Sequence, residues 1–152
     1  MQRATTGDAP RVAGLVGELL AEITQAVGVS AFQFELAKSN AEAHRLIAAG
    51  GYIVFLAACE REPVGLVTLY ESYALYAEGT FGTIAEFYVR PAYRSAGIGR
   101  RLAAAARDFG AERGWTRLEV TTPPLPIFER TLAFYEREGF AVTGGRKLKA
   151  PL

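Results

Sequence analysis

With 152 residues, half of them hydrophobic and 22% charged, the chain can bury a core without disulfides or metals and is too apolar for a disordered segment. A formal net charge of +1 supplies no global field for nucleic acid or an anionic membrane, so neither partner is expected. No stretch reaches the roughly 18 apolar residues of a membrane span. Residues 1–30 lack the basic start, apolar core and small-residue cleavage site of a secretory leader.

Asp8 is placed as an N-cap with Pro10 in the first turn. Val12, Leu15, Val16, Leu19, Leu20, Ile23 and Val27 then recur at helical spacing up to Gly28. Residues 31–50 carry a weaker helical pattern, with Ser39 or Asn40 as cap, Leu46 and Ile47 as core contacts and Gly50-Gly51 as terminator. Tyr52–Cys59 and Val64–Tyr73 read as strands of a hairpin joined by a polar turn at Glu60–Pro63. The lone cysteine, Cys59, lies in that apolar run, where a buried, reduced thiol is expected; this suits a cytoplasmic protein. Residues 74–80 form a loop before a third strand, Phe81–Val89, halted by Pro91. An Ala- and Arg-rich helix spans Ile98–Arg113 and ends at Gly114. Arg117–Thr121 alternates as a short strand. Three prolines precede a helix from Ile127 to about Glu138, stopped by Gly139, and Phe140–Thr143 and Arg146–Lys149 read as final strands. No repeat or linker marks a second domain, so the order predicts one domain, residues 1–152, with a mixed sheet flanked by helices.

The sharpest local feature runs from Val89 to Arg101, VRPAYRSAGIGRR: a strand end, a short glycine-bearing loop and a helix start. A helix N-terminus exposes unpaired N–H donors and the positive end of its dipole, and Gly97 and Gly99 let an anion approach the backbone. Arg90, Arg94, Arg100 and Arg101 add charge whose planar forks suit phosphate oxygens. A plain strand-to-helix connection with solvated arginines is the alternative. A dinucleotide fingerprint is disfavoured, because its third small residue would fall on Leu102 and the preceding strands are hairpin-joined. The Gly-Lys-Ser/Thr of a P-loop is absent.

The stretch Ala85–Gly99, AEFYVRPAYRSAGIG, resembles the acetyl-CoA-binding motif of the GNAT superfamily of N-acetyltransferases. The core of that motif, Gln/Arg-x-x-Gly-x-Gly/Ala, is matched by Arg94, Gly97 and Gly99. The element order over nearly the whole chain agrees with the family. The resemblance implies an acyl-CoA N-acyltransferase fold of mixed α and β structure, with a mostly antiparallel sheet of about six or seven strands and about four helices. It implies acetyl-CoA as cosubstrate, no metal, an amine acceptor, and room for a homodimer. Backbone N–H groups of Ser95, Ala96, Gly97, Ile98, Gly99 and Arg100 would hold the pyrophosphate. A bulge near Phe87, Tyr88 and Val89 would offer backbone groups to the pantetheine arm, and the Val89 N–H would face the developing oxyanion. A second stretch, Phe134–Phe140, FYEREGF, resembles the family's helix-end tyrosine followed by Gly-Phe. That makes Tyr135 a general acid toward the leaving thiolate, packing at the helix end being its bland alternative. Many relatives carry an asparagine where this chain has Phe128, and Arg130 is a compensating contact for the coenzyme phosphates.

An alkyl ammonium has a pKa near 10 and must lose a proton before it attacks a carbonyl. Glu86, flanked by apolar residues and three positions before Val89, is the expected general base, with Glu71 and Glu119 as rivals. Cys59 has no neighbouring histidine in sequence, which disfavours a covalent acetyl-cysteine, and the sole histidine, His44, is expected on a helix surface. Tyr70, Tyr73 and Tyr76 suggest an aromatic wall for a cation. The acceptor's identity stays open. The competing reading is a non-catalytic acyl-CoA-binding sensor of the same fold, and a nucleotide-dependent oxidoreductase fares worst.

Overall fold

The computed structural model describes residues 1–28, 33–77, 79–144, 147–148 and 150. Contacts divide the chain into two units, Met1–Thr121 and Thr122–Leu152. In the first, β1 (Gln2–Arg3), β2 (Tyr52–Cys59), β3 (Glu62–Ala74), β4 (Gly79–Val89) and β5 (Leu118–Val120) form one sheet in the order β1-β2-β3-β4-β5. All pairings are antiparallel except β4 with β5, which is parallel. The β2–β3 hairpin turns on Glu60 and Arg61, both at positive φ (50° and 72°), as a two-residue loop requires. The sheet has five strands, fewer than expected from sequence, and the described residues of the two units hold four α-helices.

Helix α1 (Ala9–Val27) starts and stops where its sequence predicts. Asp8 is the N-cap position, although its carboxylate accepts from the Thr5 N–H (3.0 Å) and from Arg11 (3.0 Å) and makes no cap bond to α1. Gly28 closes the helix at φ 75°, donating to the Thr24 carbonyl. Helix α2 (Leu36–Ala48) begins earlier than expected, with Glu35 at the N-cap, so Ser39 and Asn40 lie inside it. Residues 31 and 32 fall outside the described residues. Val12, Leu15, Ala43, Val54, Leu56, Leu66 and Tyr88 form one core on the α1–α2 face of the sheet. Helix α3 (Ile98–Glu112) covers the other face, where Phe109 meets Phe55 and Trp115 edge-on at 5.9 and 5.4 Å.

Cys59 is exposed, against expectation. The register slips between Ala57 and Ala58, and the last two residues of β2 run out toward the hairpin tip beyond the covered part of the sheet.

The bulge on β4 sits slightly earlier than expected. Val67 pairs with Phe87 but Leu69 pairs with Ile84, so Ala85 and Glu86 together oppose Thr68, while Phe87, Tyr88 and Val89 stay in register with Val67, Leu66 and Gly65. The extra residue switches which face each side chain takes. Before it, Gly82 lies on the α3 face under Trp115. After it, the even-numbered Glu86 and Tyr88 lie on the α1–α2 face.

In the second unit, α4 (Glu129–Arg137) ends in a Schellman cap. Gly139 (φ 84°) donates to the Glu136 carbonyl and Phe140 to that of Tyr135, both at 2.9 Å. Residues 140–144 hold no strand, because that capping geometry and the packing of Phe140 on Tyr135 occupy the start of the segment. Of the expected strand 146–149, residues 146 and 149 lie outside the described residues.

A Cβ at Gly82 would stand 2.3 Å from the Trp115 ring, whereas one at Gly51 meets nothing within 4 Å. Gly82→Ala is therefore expected to cost about 1–3 kcal/mol in urea unfolding, and Gly51→Ala to leave stability near the wild-type value.

Candidate active site

Glu86 lines a cleft of about 300 Å³ bordered by α1, α2, β2 and β4. The bulge puts it there, and Thr68 holds the bulge. The Thr68 hydroxyl, fully buried, accepts the Glu86 N–H at 2.9 Å, satisfying a backbone donor that the ladder leaves over, and donates to the Glu86 carboxylate. The Tyr52 hydroxyl donates to the same oxygen, Oε2, at 2.7 Å. Burial, reinforced by the neighbouring carboxylate, pushes the Tyr52 phenol far above its ordinary range, so it remains a neutral donor. Among the described residues Oε1 of Glu86 receives no hydrogen bond, which leaves that oxygen without a donor on a residue that lines the cleft. Tyr52 and Thr68 belong to none of the sequence motifs. Their signals are a hydroxyl residue inside the apolar run Val64–Leu69 and a tyrosine opening β2.

Three residues on from Glu86, β4 has lost its other neighbour. Pairing with β5 ends at Ile84–Val120, so among the described residues β3 is the one strand paired with residues 85–89. The Arg90 N–H faces β3, bonding the Val64 carbonyl at 2.9 Å. Alternation along the strand therefore aims the Val89 N–H at the open edge. Gly65 is needed opposite, since a Cβ there would lie 2.7 Å from the Tyr88 carbonyl. Phe87 and Val89 are half-buried and Tyr88 is buried.

The chain then turns through residues 91–93 into the exposed segment Arg94–Gly97, where Ser95 and Gly97 take positive φ (64° and 77°). Such alternation curls successive N–H groups into a concavity suited to an anion. The first α3 bond is Arg101 N–H to the Gly97 carbonyl, at 3.1 Å, so the Ile98 and Gly99 N–H groups precede the ladder. Ala96 and Arg100 are exposed in the same turn. Arg90 and Arg94 are turned away onto α1. Arg90 grips Glu18 with two nitrogens (2.7 and 2.9 Å), and Arg94 bonds Glu22 and the Val89 carbonyl (2.7 and 2.8 Å). Glu18 and Glu22, four apart on α1, are not among the residues that the sequence motifs single out; their signal is that they are the two carboxylates of α1 and share one side of it.

The sequence profile described as the Acetyltransferase (GNAT) family matches residues 18–140. The chain belongs to the GNAT acetyltransferase family. No curated protein is detectably similar in sequence. An aminoglycoside acetyltransferase from an uncultured soil metagenomic sample superposes with a TM-score of 0.77 at 22% identity, over 99% of this chain and 94% of that one. Ribosomal-protein-alanine N-acetyltransferase from Brucella melitensis biovar Abortus 2308 gives 0.71 at 22% identity, over 98% and 97%. An acetyltransferase from Trypanosoma brucei gives 0.71 at 20% identity, over 99% and 97%. Likeness at these identities establishes the GNAT fold.

In the second unit of this GNAT chain, Tyr135 is 5% exposed, with Phe134 and Phe140 edge-on to its ring at 5.4 and 5.3 Å. Burial raises its phenol well above the ordinary value, so it is protonated at neutral pH. Phe128 is the N-cap residue of α4, and Arg130 is exposed in the first turn. The rivals to Glu86 are engaged elsewhere. Glu119 pairs with Arg117 at 2.8 Å, and both Glu71 oxygens are occupied, by the Trp115 indole N–H at 2.6 Å and the Tyr73 hydroxyl at 2.5 Å. His44 is exposed on α2. The aromatic wall does not form as expected. Tyr70 and Tyr73 are exposed but, three apart on one strand, point to opposite faces, and Tyr76 carries Arg117 at 5.8 Å.

Glu71 is an anchor for Trp115. The indole bond and then the Tyr73 bond hold its carboxyl below the ordinary 4.5, burial opposing and Arg113 adding slightly. A carboxyl depressed in the folded state stabilises above its unfolded pKa and loses that contribution as pH falls through the folded value. The stability gap between wild type and Glu71→Gln in urea should accordingly be full at pH 7 and shrink below about pH 4.5.

Proposed function

We propose that the protein is an N-acetyltransferase that moves the acetyl group of acetyl-CoA directly to a primary amine, with residues 1–152 acting as one catalytic domain. The observation that carries this reading is the run from Glu86 to Gly99. It sets a carboxylate with an open oxygen, a strand-edge N–H and an anion-shaped turn in succession along one strand, loop and helix start.

In this reading the N–H groups of residues 95–100 hold the coenzyme pyrophosphate, and the strand edge from Phe87 to Val89 receives the pantetheine arm. Arg94 is within the same turn and exchanges Glu22 for a phosphate at little cost, since exposed ion pairs contribute weakly. Arg130 is assigned to the phosphates, and Tyr135 to the leaving sulfur, on the likeness of their motif. Glu86, through Oε1 and a water, takes the proton of the incoming ammonium while Tyr52 and Thr68 fix its other oxygen. The neutral amine forms its bond to the acetyl carbon as the Val89 N–H stabilises the oxyanion. The carbon–sulfur bond breaks, Tyr135 supplies a proton to the thiolate, and the surplus proton shed by the new amide nitrogen passes through water to restore the Tyr135 hydroxyl. A thiol pKa near 8.5 makes the assistance from Tyr135 modest.

Glu86→Gln should lower kcat by about 100-fold or more while acetyl-CoA affinity stays within about twofold. Tyr135→Phe should lower it less. Free thiol release under saturating amine measures both. Tight coenzyme binding by the wild type with no product from any amine would instead make the domain an acyl-CoA sensor.

A further inference from the structure

Resting on the transferase reading, we infer that the acceptor is a small primary monoamine with an apolar body, such as an alkyl- or arylalkylamine, seated between α1 and α2 with its nitrogen at Glu86. The cleft's volume, about 300 Å³, lies at the bottom of the range of roughly 300–1,000 Å³ for small-molecule sites. Its walls are aliphatic, with Val12 and Val16 on α1 facing Ala43 and Leu46 on α2. Ser39, Ala43 and Leu46 form the inner ridge of α2 at helical spacing, and Lys38 and Glu42 run beside them along the mouth.

Charge selects the class of amine. At the mouth the charges cancel in pairs: Lys38 meets Glu35 at 2.6 Å, and Arg45 binds both oxygens of Glu42 at 2.9 and 2.5 Å. Of the two carboxylates lining the cleft, Glu86 alone keeps an oxygen without a donor among the described residues. One ammonium is therefore matched. A polycation would place its further ammonium groups against the aliphatic walls or beside Lys38. Burying an unpaired charge is costly, and an apolar body on those walls is favoured.

The test compares phenethylamine, spermidine, sisomicin and a pentapeptide with a free N-terminal alanine as acceptors, by thiol release from acetyl-CoA. Coenzyme affinity is measured separately by fluorescence. Phenethylamine should show kcat/KM at least about tenfold above the other three. Val16→Phe, which fills the cleft, should raise KM for phenethylamine roughly tenfold with acetyl-CoA affinity unchanged; Leu46→Phe serves if the first variant does not fold. Preference for either polycation or for the peptide, or an unchanged KM in the folded cleft variant, overturns this inference and leaves the transferase reading standing. Thiol release with none of the acceptors overturns this inference, and a failure to bind acetyl-CoA overturns the transferase reading with it.

Discussion

Thr68 makes two hydrogen bonds on which the geometry of the site depends. Its hydroxyl accepts the backbone N–H of Glu86 and donates to the Glu86 carboxylate, from a position with no exposure to solvent. A bulge leaves a backbone group without a ladder partner, and inside a core that vacancy costs on the order of 1–3 kcal/mol unless filled. The hydroxyl fills it and stabilises an extra residue in β4. Without that residue the strand's alternation would carry Glu86 and Tyr88 to the α3 face. With it, Glu86 enters the cleft and Tyr88 joins the core under α1. A single side chain on β3 thus fixes the position of the carboxylate and the face of the strand that follows.

Helix α1 joins the two halves of this region. Its apolar side packs on the sheet through Val12 and Leu15 and borders the cleft through Val16. Its carboxylates, Glu18 and Glu22, reach Arg90 and Arg94 at the end of β4. Arg94 also stacks over Tyr88 at 5.7 Å and caps the Val89 carbonyl, so the turn leading to α3 is tied to the helix and to the strand edge together. The parting of β4 from β5 beyond Ile84 completes the arrangement, because a longer β5 would cover the Val89 edge.

Features governed by neighbouring residues were legible in the sequence. The limits of α1 follow from Pro10 and Gly28, the end of α3 from Gly114, and the hairpin from two apolar runs around a polar turn. The loop before α3 announces itself through Gly97 and Gly99, and Glu86 as a lone acid in an apolar strand. What escaped depends on partners distant in the chain. The bulge is placed by Thr68, 18 residues upstream of Glu86, and Glu71 is claimed by Trp115, 44 residues away. Exposure of Cys59 follows from where the sheet's cover ends, which an apolar run does not reveal. The start of α2 escaped for a different reason: Glu35 caps it without a side-chain bond, leaving the usual polar cap signal to fall wrongly on Ser39 and Asn40.

The most direct measurement is a calorimetric titration of acetyl-CoA into the wild-type protein and into Gly97→Trp. Gly97 holds φ 77° at the N-cap of α3, with nothing within 4 Å of where a Cβ would stand, so tryptophan strains the turn and sets a bulky ring beside the concavity. Saturable binding in the micromolar range, lost in a variant with an unchanged far-ultraviolet spectrum, is the predicted result. A folded wild type that does not bind acetyl-CoA, or binding undiminished by the tryptophan, would contradict it.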